Sequence, residues 1–118
     1  MVQAYAHEGH LELADGADDR APAAAVTVSL CGHWDHEGDC RWRHHTSIIE
    51  RDGHSLTVRT VFASDIEDEQ EVRERIVAAL ESGLLAGPAG ESRWQVLRQE
   101  AVDLRPADQR VAGRLTRS

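Results

Sequence analysis

Lysine is absent from this chain of 118 residues, and so is any long apolar run. The 13 basic residues are all arginine, and 21 acidic residues bring the formal net charge to −8. Because binding to a phosphate backbone requires a basic surface, this charge argues against nucleic acid as a partner. No segment approaches the roughly 20 apolar residues of a membrane span, so no membrane partner is expected either.

Cysteine is scarce as well, with two residues in the chain. The first residues lack the charged region and the apolar region of a signal peptide, which predicts a cytoplasmic protein. In a reducing compartment, two cysteines are expected to be thiols or metal ligands rather than a structural disulfide.

Composition divides the chain into three parts. Residues 1–24 show almost no apolar periodicity, which predicts a disordered N-terminal tail with His7 and His10 exposed to solvent. Residues 25–104 contain the periodic segments and predict a single α+β domain with a Cys/His-rich loop at residues 31–45. Residues 105–118 are polar and predict a flexible C-terminal tail.

Alternation of apolar and polar side chains predicts four strands. The dipeptide Asp52-Gly53 predicts a hairpin with a two-residue loop, which places Ile49 on the core face. The same register places His44 and His45 on opposite faces of the sheet. The predicted strands cover residues 25–30, 46–51, 54–63 and 93–102.

One helix is predicted between the hairpin and the last strand. Ser64 is a good N-cap, and Glu67 three residues later completes a capping box. An apolar stripe with helical spacing follows, and Gly83 is expected to end the helix. The stripe consists of Val72, Ile76, Val77, Leu80 and Leu84. The order β-loop-β-β-α-β predicts an α+β fold, a small antiparallel sheet with one helix packed on one face.

Both cysteines and four of the seven histidines lie in residues 31–45. Thiolate and imidazole are the side chains that bind zinc best, and structural zinc sites commonly take two of each. Because His44 and His45 point to opposite faces of a regular strand, at most one of them should bind. The segment is therefore predicted to be a structural clip that holds Zn²⁺. The candidate ligands are Cys31, His33, Cys40, His44 and His45.

Two metal-free interpretations of the same segment remain open. In one, Cys31 is a small buried residue and the histidines are solvated. In the other, Cys31 and Cys40 form a disulfide, which an oxidising compartment would favour.

Residues 28–38 resemble the strand-to-loop metal motif H-x-H-x-D-H of metallo-β-lactamase-type hydrolases. His33, Asp35 and His36 match the second histidine, the aspartate and the last histidine of that motif, while Cys31 stands in place of the first histidine. The resemblance implies a hydrolase in which bound metal activates water. It covers this short stretch alone, and the αββα fold of that family needs a much longer chain.

Three classes of function follow from these observations. The first is a small zinc-binding domain that serves a protein or small-molecule partner. The second is a metal-free ligand-binding or protein-interaction domain, with a homodimer formed through a sheet edge as one form of it. The third is a small metal-dependent hydrolase that uses His33, Asp35 and His36, with Asp35 or Glu37 as the general base.

Overall fold

The computed structural model describes residues 2–31, 41–87 and 90–117. Within these ranges, five strands form one antiparallel sheet in the order β2-β3-β1-β5-β4. The strands are β1 (Val2–Leu13), β2 (His44–Asp52), β3 (Ser55–Asp65), β4 (Leu84–Gly87) and β5 (Gly90–Val102). The helices are α1 (Ala21–Cys31), α2 (Glu69–Glu81) and α3 (Gln109–Thr116), with 3-10 turns at Ile66–Asp68 and Pro106–Asp108. Among the described residues, no helix is long and apolar enough to cross a membrane.

The predicted α+β class, an antiparallel sheet with a helix packed on it, is confirmed, and the structure adds two helices. Helices α1 and α2 cover one side of the sheet, which we call the two-helix face. Helix α3 packs on part of the other side, the one-helix face. The main core lies on the two-helix face and includes Leu11, Val58, Phe62, Ile76 and Leu80. A smaller core under α3 contains Ala6, Val61, Ala63, Ala112 and Leu115.

Residues 25–30, predicted as a strand, belong to helix α1. The strand prediction was wrong because valine alternating with small polar residues over so short a segment also fits a helix buried along one side. The buried residues Pro22, Val26 and Leu30 are four residues apart, at about the spacing of a helical turn. The run of alanines at the start of α1 favours a helix as well.

The predicted disordered tail at residues 1–24 is also wrong, because Val2–Leu13 form the central strand β1. The strand alternates as a buried strand should, with Tyr5 and Leu11 packed in the main core. Between Tyr5 and Leu11, however, the two-helix face of β1 carries His7 and Gly9, and neither counts as apolar in a hydrophobicity pattern. The predicted flexible tail at residues 105–118 is wrong for a similar reason. The side of α3 that packs on the sheet is short and built largely of small residues.

The predicted hairpin is confirmed as β2–β3, but its register differs from the prediction. Asp52 pairs with Ser55, so the turn lies one residue later than expected. A β-bulge between Ile48 and Glu50 then shifts the register again. Ile48 therefore packs against the main core, whereas Ile49 is 37% exposed.

The predicted helix is confirmed as α2, and Val72, Ile76 and Leu80 of its stripe are buried. The capping box is not formed, because Ser64 lies in β3 and its hydroxyl donates to the Asp65 carbonyl. A 3-10 turn precedes the helix instead. Gly83 follows the helix with a φ of 66°, the left-handed conformation expected of a glycine at a helix end. The predicted last strand is confirmed as part of β5.

Gly9 of β1 faces Leu80 of α2, and its replacement provides a test of this packing. A Cβ atom at Gly9 would lie 2.9 Å from Leu80 Cδ1, inside the closed core. We expect Gly9→Ala to lower the free energy of unfolding by about 1 kcal/mol, since the end of the buried Leu80 side chain must shift to admit the methyl group. Gly113→Ala is the matched control, because nothing lies within 4 Å of its added Cβ in α3. Denaturant unfolding of both variants measures the difference, and equal stabilities would contradict the packing described.

Candidate functional site

The ends of the predicted Cys/His-rich loop meet at one corner of the molecule. Cys31 is the last residue of α1, and His44 is the first residue of β2. Their side chains come together, with 3.9 Å between Cys31 Sγ and His44 Nδ1. His44 pairs with Phe62 of β3 and therefore lies on the two-helix face, beside α1. The end of the helix and the start of the strand thus place a sulfur and an imidazole nitrogen side by side.

Two further polar groups orient the His44 ring. Thr27, one helical turn before Cys31, places its hydroxyl 3.3 Å from His44 Nε2. The Trp42 carbonyl lies 3.1 Å from His44 Nδ1. A carbonyl oxygen only accepts, so the single hydrogen of a neutral His44 ring lies on Nδ1 and is donated to Trp42. The Thr27 hydroxyl then donates to Nε2.

Trp42 anchors the chain where it enters β2. The Trp42 side chain is buried, and the guanidinium carbon atoms of Arg41 and Arg75 lie 4.2 and 5.1 Å from its ring centroid. Arg75 also pairs with Glu71 one turn earlier in α2. Cation–π contacts of this kind favour a fixed ring position. The anchor therefore holds His44 at a defined place relative to both helices.

Cys31 is disulfide-bonded in the structure, and no described cysteine is a free thiol. This differs from the expectation of reduced thiols, and it agrees with the disulfide alternative for Cys31. Sequence could not decide between them, because the redox state depends on the surroundings of the protein as well as on the chain. Cys40, the other cysteine, lies outside the described residues.

The remaining candidate ligands are not brought together within the described part of the chain. His45 is exposed and pairs with Val61, which places it on the one-helix face, away from Cys31. His33 lies outside the described residues, as do Asp35 and His36 of the hydrolase-like motif. Over residues 2–31, 41–87 and 90–117, no group of three or more His, Cys, Asp or Glu side chains could hold a metal ion.

A buried charge cluster lies on the one-helix face, and sequence analysis missed it. Arg59 of β3 has a side chain only 2% exposed, and it forms ion pairs with Glu8 of β1 and Asp108 at the start of α3. Its guanidinium also donates to the Asp103 carbonyl. Asp108 in turn accepts a hydrogen bond from the Arg105 backbone N–H at 2.7 Å. The available signal was Arg59 in the middle of the predicted strand 54–63, which has no acidic residue, and a buried arginine requires an acidic partner.

These hydrogen bonds set the pKa of Asp108. Burial by itself raises the pKa of this carboxyl, but the hydrogen bonds from Arg59 and Arg105 outweigh burial and hold the pKa at about 2. Asp108 is therefore charged at neutral pH, and the cluster connects the start of α3 to the sheet.

The two histidines that were expected to be exposed both contribute to the sheet. His10 lies on the one-helix face, with Nδ1 3.1 Å from the Thr57 hydroxyl and Nε2 3.9 Å from a Glu100 oxygen. His7 lies on the two-helix face and is buried. Both positions follow from β1 being the central strand, which sequence analysis did not predict.

Comparison of this chain with known protein families, with characterised proteins and with solved structures finds no match. The case for a function therefore depends on the site itself.

Proposed function

We propose that segment 31–44 is a zinc-binding clip in the reduced protein, which ties the end of α1 to the start of β2. The observation that carries the proposal is the distance of 3.9 Å between Cys31 Sγ and His44 Nδ1. A sulfur and a nitrogen bound to one tetrahedral zinc ion lie about 3.6 Å apart, given the usual Zn–S and Zn–N bond lengths. A small movement would therefore let both atoms bind the same ion.

The proposed ligand set is Cys31 and His44, completed by His33 and Cys40 from the intervening segment. His45 is left out because its side chain belongs to the opposite face of the sheet. Zinc binding at Nδ1 would end the hydrogen bond to the Trp42 carbonyl and move the ring hydrogen to Nε2, where the Thr27 hydroxyl is placed to accept it. Metal-binding histidines commonly have their second nitrogen fixed by such a partner.

The disulfide at Cys31 makes zinc binding in this proposal dependent on the redox state. Zinc binds thiolates, so the clip requires reduced cysteines. A small-molecule disulfide would oxidise the two zinc-bound thiolates to one protein disulfide, releasing Zn²⁺ and two small-molecule thiolates. In the oxidised protein, the disulfide would close the same segment covalently. The disulfide at Cys31 therefore favours the second candidate function, a metal-free ligand-binding or protein-interaction domain.

Metal analysis of the reduced protein tests the proposal. The full chain is purified without an affinity tag or added zinc, reduced with a phosphine, and analysed by elemental mass spectrometry. We expect about one zinc ion per chain in the reduced protein and none after treatment with an oxidising disulfide. The zinc clip would be contradicted if the reduced protein contains no zinc and a chelator does not change its unfolding temperature. The metal-free domain would then be the remaining candidate function.

Matched variants identify the ligands. His44→Ala should abolish zinc binding, whereas His45→Ala should retain it. Cys31→Ser and Cys40→Ser should each lower the stability of the reduced protein, and the double variant should cost little more, because both residues act through one ion. Loss of zinc in His36→Ala with retention in Cys40→Ser would instead favour the hydrolase.

A further inference from the structure

His7 is a buried histidine whose hydrogen bonding is incomplete. Only 4% of the residue is exposed. Its Nε2 atom lies 2.9 Å from Gln99 Oε1 on the neighbouring strand β5. Its Nδ1 atom is buried, and none of the described residues provides it with a hydrogen-bond partner. Buried polar atoms of this kind are rare in folded proteins and point to a functional constraint.

The orientation of Gln99 determines which nitrogen of His7 carries the hydrogen. The Gln99 side-chain nitrogen donates to the Val77 carbonyl in α2, at 3.2 Å. Its oxygen therefore faces His7, and because an amide oxygen only accepts, His7 Nε2 must be the donor. Nδ1 is left with a buried lone pair. The contact also makes a continuous path from His7 through Gln99 to the backbone of α2.

The charged groups around His7 act on its pKa in both directions. Arg73 on α2 donates to the Ala6 carbonyl next to His7 and pairs with Glu69. Glu8 and Glu100 belong to the opposite face of the sheet, where Glu8 already pairs with Arg59. Glu81 of α2 contacts Gln99 rather than His7, and on β3 the residue opposite His7 is the uncharged Thr60. Burial has the largest effect and lowers the pKa of His7, and Arg73 lowers it further. The Gln99 hydrogen bond, Glu100 and Glu8 each raise it without reversing the change.

We propose that His7 is an acid-sensitive latch between the sheet and α2. While His7 is neutral, the helix packs on β1 and β5 through Gln99. A proton on Nδ1 places a charge in a buried site with no acceptor, which is costly unless the site opens to water. Opening separates Gln99 from Val77 and releases the C-terminal half of α2.

The sign of the pH dependence follows from this arrangement. The open form binds a proton on His7 near the ordinary pKa of about 6.5, whereas the closed form binds it less readily. The closed form is therefore fully favoured above that pH and loses stability as the pH falls below it. The closing equilibrium constant falls by at most about tenfold per pH unit until the pKa of the closed form is reached.

Hydrogen exchange and His7→Gln test the latch. In the full chain, amides of residues 76–81 should exchange faster at pH 5.5 than at pH 7.5 after correction for intrinsic rates. Tryptophan fluorescence should change over the same pH range, because the Trp94 indole donates to the Leu80 carbonyl. His7→Gln should remove this pH dependence, whereas His54→Gln, in the exposed hairpin turn, should keep it. Equal acceleration in His7→Gln and the unmodified chain would overturn the proposal.

Nitrogen NMR of the unmodified chain provides a second measurement that does not require a variant to fold. His7 should show the Nε2–H form at neutral pH and titrate below the ordinary histidine range. Titration at or above pH 6.5 would overturn the latch, and so would an Nδ1–H form.

Discussion

Replacing Arg59 by methionine is expected to lower the free energy of unfolding by about 3–5 kcal/mol, because it leaves two carboxylates without their buried cation. The side chains of Glu8 and Asp108 are 16% and 7% exposed, so water cannot fully replace the guanidinium. Asp108 also fixes the Arg105 backbone at the start of α3, so the loss should extend to that helix. Denaturant unfolding followed by circular dichroism measures the change.

Arg20→Met is the matched control for this substitution. Arg20 pairs with Asp18 at the surface, with side chains 84% and 50% exposed, and such pairs contribute less than about 1 kcal/mol. The pH dependence adds a second signature. In the unmodified protein, the stability due to ionised Asp108 is present above pH 3.8 and is lost as the pH falls towards about 2. Arg59→Met should lack this loss of stability at low pH. Similar stabilities of the two methionine variants would refute the role of the cluster.

A chain that ends at Leu104 is expected to lose cooperative unfolding altogether. The truncation removes α3, whose Ala112 and Leu115 cover Ala6 and Val61 on the sheet. It also removes Asp108, so Arg59 loses one of its two acidic partners. The expected product binds hydrophobic dyes and shows a broad denaturant transition.

A chain that ends at Thr116 is the control for this truncation, because it keeps α3 complete. It should unfold within about 1 kcal/mol of the full chain, since among described contacts it loses one exposed hydrogen bond, from Arg43 to the Arg117 carbonyl. A Leu104 truncation with the same midpoint and slope as the full chain would show that α3 is dispensable.

Helix α2 was predictable because its buried side repeats over several turns and ends at a glycine with positive φ. Strand β1 was not, because burial at His7 and Gly9 depends on Gln99 and Leu80, which lie far away in sequence. Helix α1 was predicted as a strand because its short valine-rich segment fits the period of a strand as well as that of a helix. For β1 and α1, the deciding contacts are tertiary, and the local sequence pattern does not contain them.

The candidate site was predictable in composition but not in geometry. Clustering singled out Cys31 and His44, which the structure brings together. Which of His44 and His45 lies beside α1 depended on a bulge at Ile49 and on the position of the turn, and neither is specified by apolar alternation. The Arg59 cluster could not be located because its two acidic partners, Glu8 and Asp108, lie in segments that were predicted to be tails.

The position of β1 at the centre of the sheet has a consequence for synthesis of the chain. This first strand pairs with residues 55–65 on one side and with residues 94–102 on the other. A ribosome releases β1 before either of its partners, and the sheet cannot close until residues 94–102 have emerged. Pairings between distant residues make folding slow. The nascent protein must therefore carry this strand unpaired until residues 94–102 have been made, and unpaired strand edges are sites of aggregation that chaperones protect.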